Sequence, residues 1–222
     1  MSQRFRIPAL RIPEMEGKTA RWYARQRGSK NQLLAYARQA DQLTAVLPAG
    51  AAILEIAPGP GYFAVELARR GYRVSGLDIS HTMVQIAAER ARRAGLTVDF
   101  RHGDAARLPF PDDGFDLIVC QAAFKNFREP VAALDEMHRV LRPGGVAVIQ
   151  DLNRAATGAE IAADVRAMGL SPVNAAVTRA TLGRLRRRAH PAAEFTRLAA
   201  RSAFGGCEIG SDGLSLEVRL SA

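Results

Sequence analysis

The sequence predicts an α/β fold doubly wound around a mostly parallel sheet. Three observations predict it. Short apolar runs alternate with helix-patterned segments through residues 51–151, the arrangement that crossover units produce. A glycine-rich turn, Gly59-Pro60-Gly61, follows the first apolar run and opens the first helix of that series. Near the end, strand-like runs at 207–210 and 214–220 are joined by Ser211-Asp212-Gly213, and an Asp-Gly pair is a hairpin signal.

Taken in order, residues 15–47 read as a helical lead-in with Trp22, Tyr23, Leu33, Leu34, Leu43 and Leu47, inside a segment assigned as 1–48. Residues 51–57 are a short apolar run ending at Pro58-Gly59, hence a buried strand. Residues 61–70 show helical spacing in Phe63 and Leu67, and 72–78 form the next strand. Residues 80–94 place Met83, Ile86, Ala87 and Ala91 on one helix face, with Gly95 at the end. A third strand at 97–102 precedes a loop at 103–114 rich in Pro, Asp and Gly. A fourth strand at 115–121 leads to a helix at 129–141, stopped by Arg142-Pro143-Gly144-Gly145, and a fifth strand at 146–151. Residues 157–202 hold about three helical segments, broken near Gly169 to Pro172 and at Pro191. That is more than one crossover needs, and we read them as a helical lid. The hairpin at 206–220 closes the chain, and 222 residues suit a single domain.

The formal charge is +9, almost all of it arginine; Lys18, Lys30 and Lys125 are the only lysines. The cations are spread over many segments. Their densest cluster, Arg184, Arg186, Arg187 and Arg188, reads as a solvated helix face rather than a nucleic-acid site. No run approaches the ~20 apolar residues of a membrane helix, and Met1-Ser2-Gln3-Arg4-Phe5-Arg6 lacks an apolar signal core. A soluble cytoplasmic protein is expected. Cys120 and Cys207 read as buried free thiols. No metal is expected, because there is no Cys-x-x-Cys and His81, His102, His138 and His190 never pair at ligand spacing.

The chemistry gathers at the strand ends. Residues 59–64 match the Gly-x-Gly-x-x-Gly/Ala fingerprint, in which glycines let a ligand approach the backbone and the helix start offers free N–H groups. Asp78 ends the second strand about 20 residues on, where a carboxylate accepts from ribose hydroxyls. Its alternative is an N-cap, a role Ser80 can fill instead. Asp104, after His102-Gly103, can accept from an adenine amino group. Gln121 ends the fourth strand beside the first. The turn and Asp78 alone serve a nicotinamide cofactor as well as S-adenosylmethionine.

The full set of motifs resembles the class I S-adenosylmethionine-dependent methyltransferases, in the subgroup acting on small molecules and quinones. It runs through Leu54-Glu55-Ile56-Ala57-Pro58-Gly59-Pro60-Gly61, Gly76-Leu77-Asp78-Ile79-Ser80, Gly103-Asp104-Ala105, Leu108-Pro109-Phe110-Pro111-Asp112, Phe115-Asp116-Leu117-Ile118 and Glu136-Met137-His138-Arg139-Val140-Leu141-Arg142-Pro143-Gly144-Gly145. The resemblance covers residues 51–151. It implies a Rossmann-like seven-stranded sheet in the order 3-2-1-4-5-7-6 with strand seven antiparallel. It further implies that Glu55 and the backbone from Ala57 through Gly59 to Gly61 hold the methionine end of the cofactor. Asp78 would bind ribose, Ile79 and Met83 pack near adenine, and Gly103, Asp104 and Ala105 contact it. Gln121 and Ala122 would lie by the transferable methyl. Where many relatives carry a histidine after strand four, this chain has Ala123-Phe124-Lys125-Asn126-Phe127.

Methyl transfer from a sulfonium is an in-line displacement with a good leaving group, so positioning supplies much of the rate, roughly 7–11 kcal/mol at best. An acidic acceptor needs no base. Lys125 is a candidate to attract an anionic acceptor, His190 a candidate base, and Trp22, Tyr23 and Asn126 candidate substrate contacts. The expected function is methyl transfer to a small-molecule acceptor. The alternatives are an RNA or protein methyltransferase, or a nucleotide-binding relative without methyl transfer.

Overall fold

Apolar residues alternate on two faces of the strands, and that alternation builds two cores. In the computed structural model, which describes residues 15–169 and 171–222, the elements run as follows. The lead-in is two helices, α1 (Gly17–Gln26) and α2 (Lys30–Thr44). Gly28 lies at the break between them, and Ser29 caps α2 by accepting from the Gln32 N–H. Then come β1 (Ala52–Ile56), α3 (Tyr62–Arg69), β2 (Arg73–Asp78), α4 (His81–Arg93), β3 (Asp99–His102) and β4 (Phe115–Gln121). A 3₁₀ turn (Phe124–Asn126) precedes α5 (Pro130–Val140) and β5 (Leu141–Leu152). The helices α6 (Gly158–Ala167), α7 (Pro172–Arg186) and α8 (Ala192–Ala200) follow, then β6 (Glu208–Asp212) and β7 (Ser215–Ser221). The first fourteen residues of the expected lead-in, and with them the N-terminal sequence read for a signal, lie outside the described residues.

The seven strands form one sheet in the order β3-β2-β1-β4-β5-β7-β6. Strands β1 to β5 pair in parallel, and β7 runs antiparallel to both β5 and β6. This is the order implied by the resemblance. One face carries Ile53, Leu117, Val119 and Val148 against Ala40 and Leu43 of α2 and Phe63 and Leu67 of α3. The other carries Leu54, Ile56, Ile118 and Cys120 against Leu134 and Met137 of α5 and Phe195 of α8. Phe63, Phe124 and Phe195 are fully enclosed, and burying such a side chain stabilises by about 1.5–3 kcal/mol.

Two boundaries differ from the expectation for physical reasons. The fifth strand begins at Leu141, directly after α5, rather than at Val146. Leu141 pairs with Phe115 and Val146 with Leu117, so Arg142 to Gly145 form an outward detour within the strand. Asp116 fixes that detour, accepting from Arg142 Nη1 at 2.6 Å and from the Ala52 N–H at 2.7 Å. The terminal turn falls on Gly213-Leu214, because Asp212 already pairs with Ser215. Leu214 is buried with Ala156, Ile161 and Val165 under α6, which draws the turn one residue onward. Cys207 is only half-buried and lies just before β6, whereas Cys120 is fully buried in β4.

Candidate cofactor cavity at the strand ends

A cavity of about 300 Å³ opens where β1, β2 and β4 end, lined among others by Ile56, Ala57, Leu77, Asp78, Gln121 and Ala122. Parallel α/β sheets place ligands at this edge. The chain leaves the sheet here in an unusual way. Ala57 has φ 56° and Ala122 has φ 54°, a left-handed conformation that costs a non-glycine residue of order 1–3 kcal/mol. Each is pinned by its own N–H. Ala57 donates to the Leu77 carbonyl and Ala122 to the Gln150 carbonyl, both at 2.7 Å. Strain held at two neighbouring strand ends, both facing one cavity, marks a functional edge.

Glu55 lies on this wall, in the middle strand of the group. It is buried, and its Oε2 has no hydrogen-bond partner among the described residues. Burial pushes its pKa up to about 8; the Ala64 N–H pulls the other way, and the Asp78 carboxylate adds to the rise. An orphaned buried acceptor costs about 1–3 kcal/mol and calls for a donor that the described residues do not supply.

Asp78 does two things at once. Its Oδ2 accepts from the Gly59 N–H at 3.0 Å and its Oδ1 from the Ser80 N–H at 2.9 Å. The carboxylate therefore fastens the glycine turn to the end of β2. Burial raises its pKa, while the donors from Ser80 and Gly59 oppose that rise. It does not cap α4, because Ser80 Oγ accepts from the Met83 N–H at 3.0 Å. Gly59 has φ 52°, with nothing within 4 Å of the place a Cβ would take, so its backbone is open to a ligand. Gly61 is different. It is not on the cavity wall, and a Cβ there would stand 2.7 Å from Ala87 Cβ. The absence of a side chain there lets α3 approach α4.

Ile79, Met83, Gly103, Asp104, Ala105 and Asn126 also line the cavity, as does Tyr23. Asp104 Oδ1 accepts from the Ala106 N–H at 3.0 Å. Several lining residues were not singled out in the sequence: Met15, Arg27, Tyr36, Phe127 and Arg128. Arg27 Nη2 donates to Tyr36 Oη at 3.0 Å, and Tyr36 stacks on Tyr62, ring centroids 6.2 Å apart. Tyr62, the first residue of α3, also has Arg90 over its ring at 3.4 Å. For Arg27 and Tyr36 the legible signal is the Gly28-Ser29 break, which divides the lead-in into two helices.

Four of the expected features stand off the cavity wall. Lys125 does not line the cavity: its ammonium turns back to the Ala122 carbonyl and to Asp151 Oδ1, the latter at 2.8 Å. Asp151 is almost wholly buried, so this pair ties the 3₁₀ turn to β5. His190 packs edge-on against Phe124 and Phe195, away from the cavity wall. Trp22 is 57% exposed on the outer side of α1. Among the described residues, those of the expected lid at 157–202 line none of the cavity; α6 packs on the hairpin turn and α8 on α5, and the covering falls to α1 and α2. Two histidines do meet: the His81 and His102 rings stack 3.5 Å apart, with His102 Nε2 3.0 Å from the Ile79 carbonyl oxygen. His138 packs edge-on against Phe204.

The sheet order, with β7 antiparallel, and the glycine turn after β1 define a Rossmann-like fold of the kind that S-adenosylmethionine-dependent methyltransferases share. More particularly, residues 54–149 match the family model described as a methyltransferase domain. The chain is 40% identical over 108 residues to a demethylmenaquinone methyltransferase of Deinococcus radiodurans, covering 48% of this chain and 45% of that one. It is 36% identical over 123 residues to a 2-phytyl-1,4-naphtoquinone methyltransferase of Synechococcus elongatus, covering 53% and 52%. The chain thus spans about half the length of the curated relatives it matches. A putative S-adenosylmethionine-dependent methyltransferase from Methanococcus maripaludis shares the fold along 94% of both chains, with TM-score 0.72 at 19% identity.

Proposed function

We propose that this protein transfers a methyl group from S-adenosylmethionine to a small aromatic acceptor of the quinone type. The observation that carries the reading is Glu55: a buried carboxyl oxygen without a donor among the described residues, on the wall of the cavity at the strand ends and inside the segment that matches the methyltransferase-domain model. The ammonium of the cofactor's methionine end is the donor it lacks, and Arg27 with Tyr36 offers a cation and a hydroxyl for the carboxylate of the same end. Asp78 keeps acceptor capacity for ribose hydroxyls beyond its two backbone bonds. Ile79 and Met83 supply an apolar side for adenine, and Asp104 an acceptor.

When bound, the cofactor supplies a methyl group on a sulfonium, which leaves as a neutral thioether. The chain's part is to orient and to exclude water. Ala122 and Gln121 border the place of transfer. Tyr23, Tyr36 and Phe127 give the cavity aromatic sides suited to a flat ring. An acidic acceptor phenol arrives already ionised, so no side-chain base is required. The names of the relatives favour a quinone-type ring over RNA or protein.

The test is calorimetry with S-adenosylhomocysteine and with NAD, followed by labelled-methyl transfer to dihydroxynaphthalene-type acceptors. The reading expects binding of the first ligand and label in the aromatic product. Binding of NAD alone, or label appearing only in RNA or protein, would overturn it.

A further inference from the structure

The two lead-in helices have an inner and an outer side. Inward, Tyr23, Arg27 and Tyr36 face the cavity. Outward, Trp22 is 57% exposed, Leu34 51% and Leu33 43%. Isolated exposed apolar residues are ordinary, but these are set among cations. On α1, Lys18, Arg21, Trp22 and Arg25 fall at spacings of three and four and share one face. On α2, Lys30, Leu34 and Arg38 repeat every four residues, also exposed. Arg21, Arg25 and Leu33 border one groove, which joins the outer sides of the two helices. Lys18, Arg21, Arg25 and Lys30 have no ion-pair or hydrogen-bond partner among the described residues. The acids of the same segment are engaged elsewhere, Glu16 with Thr82 and Asp41 with Arg70.

We propose that the outer face of α1 and α2 docks the protein on an anionic lipid surface, with Trp22, Leu33 and Leu34 entering the interface between headgroups and Lys18, Arg21, Arg25 and Lys30 meeting the phosphates. Charge selects this occupant. A second copy would set the same cations against each other. RNA would pair with the cations but would leave Leu33 and Leu34 unused. A bilayer uses both, since tryptophan favours the headgroup level and basic residues gain near anionic leaflets. The proposed contact is peripheral, made by helices lying in the interface; among the described residues no helix is long and apolar enough to cross a membrane. Its benefit to the enzyme rests on the quinone-type reading above: an apolar acceptor held in a bilayer would reach the cavity through helices lying on that bilayer. The docking itself does not depend on that reading.

Trp22 is the only tryptophan in the chain, so its emission reports the event directly. The full chain is titrated with vesicles of phosphatidylglycerol and phosphatidylcholine, and with phosphatidylcholine alone. The expected result is a blue shift and co-sedimentation with the anionic vesicles only, weakened by salt. Arg21→Glu with Arg25→Glu should lower partitioning by about tenfold or more and leave S-adenosylhomocysteine binding unchanged, which separates this inference from the catalytic one. Leu33→Ser with Leu34→Ser, with the charges intact, should weaken binding at high salt. An unshifted Trp22 emission with anionic vesicles, or salt-sensitive binding to RNA without binding to vesicles, would overturn the proposal.

Discussion

Glu55 concentrates the residue-scale argument, because its environment in the folded chain is so unlike water. Unfolded, its carboxyl titrates near the ordinary 4.5; folded, burial moves it to about 8. Between those values the folded state holds a proton that the unfolded state has lost. The stability it contributes is therefore complete below about pH 4.5 and is lost as pH rises through about 8. Glu55→Gln should flatten that decline and leave the variant more stable than the parent at pH 9, by on the order of a few kcal/mol. Cofactor affinity moves the other way. An ammonium needs the carboxylate, so binding of S-adenosylhomocysteine by the parent should strengthen as pH rises towards 8. The amide should bind at least about tenfold more weakly with no such pH dependence. Parallel melts and calorimetry between pH 6 and 9 check both halves, and a Gln variant with parental affinity would remove Glu55 from the ligand site. Glu55 stood out in the sequence through its place before the glycine turn. That its Oε2 lacks a partner did not, since this depends on every neighbour the fold brings to it.

Among the elements, the contrast between sheet and covering helices shows what periodicity can reveal. The central strands were legible because burial on both faces makes their residues continuously apolar; β4 falls where the pattern placed it, at Phe115–Gln121. The detour inside β5 was not, because it is set by Asp116 and Arg142 across a strand pair. Nor was the fate of Lys125, a lone lysine beside a cofactor edge that reads as a catalytic group until its partner is known. Asp151 lies in β5, twenty-six residues on. The pair is close to fully buried, with side chains 9% and 1% exposed, and removing one member of such a pair leaves the other charged without a counterion. Lys125→Met should therefore cost about 3–5 kcal/mol of stability while leaving the acceptor KM of the folded fraction unchanged. Denaturant titration and initial-rate kinetics on one preparation separate the two effects. A raised acceptor KM at parental stability would return Lys125 to the binding site.

At the scale of the whole molecule, the cavity lies at a junction rather than within one element. Its walls come from the ends of three strands and from both lead-in helices, and the lead-in is held there by polar and aromatic contacts. Tyr62 donates to the Ala24 carbonyl at 3.3 Å and stacks on Tyr36, while the Gln39 side chain donates to Gln150 of β5. A ligand filling the junction binds only the assembled state, so its binding energy becomes folding energy for the lead-in and sheet together. At about 100 times its Kd, S-adenosylhomocysteine should add about 2.7 kcal/mol. For a chain of this size that raises Tm by roughly 5–11 °C, and the shift should grow from pH 6 to pH 8 as Glu55 loses its proton. NAD at the same concentration should give no shift. Hydrogen exchange locates the effect: protection should increase in α1 and α2 as well as at the strand ends, because the ligand joins them. Protection confined to the strand ends would show that the lead-in helices do not close on the cofactor, and that Arg27 and Tyr36 are not part of its site.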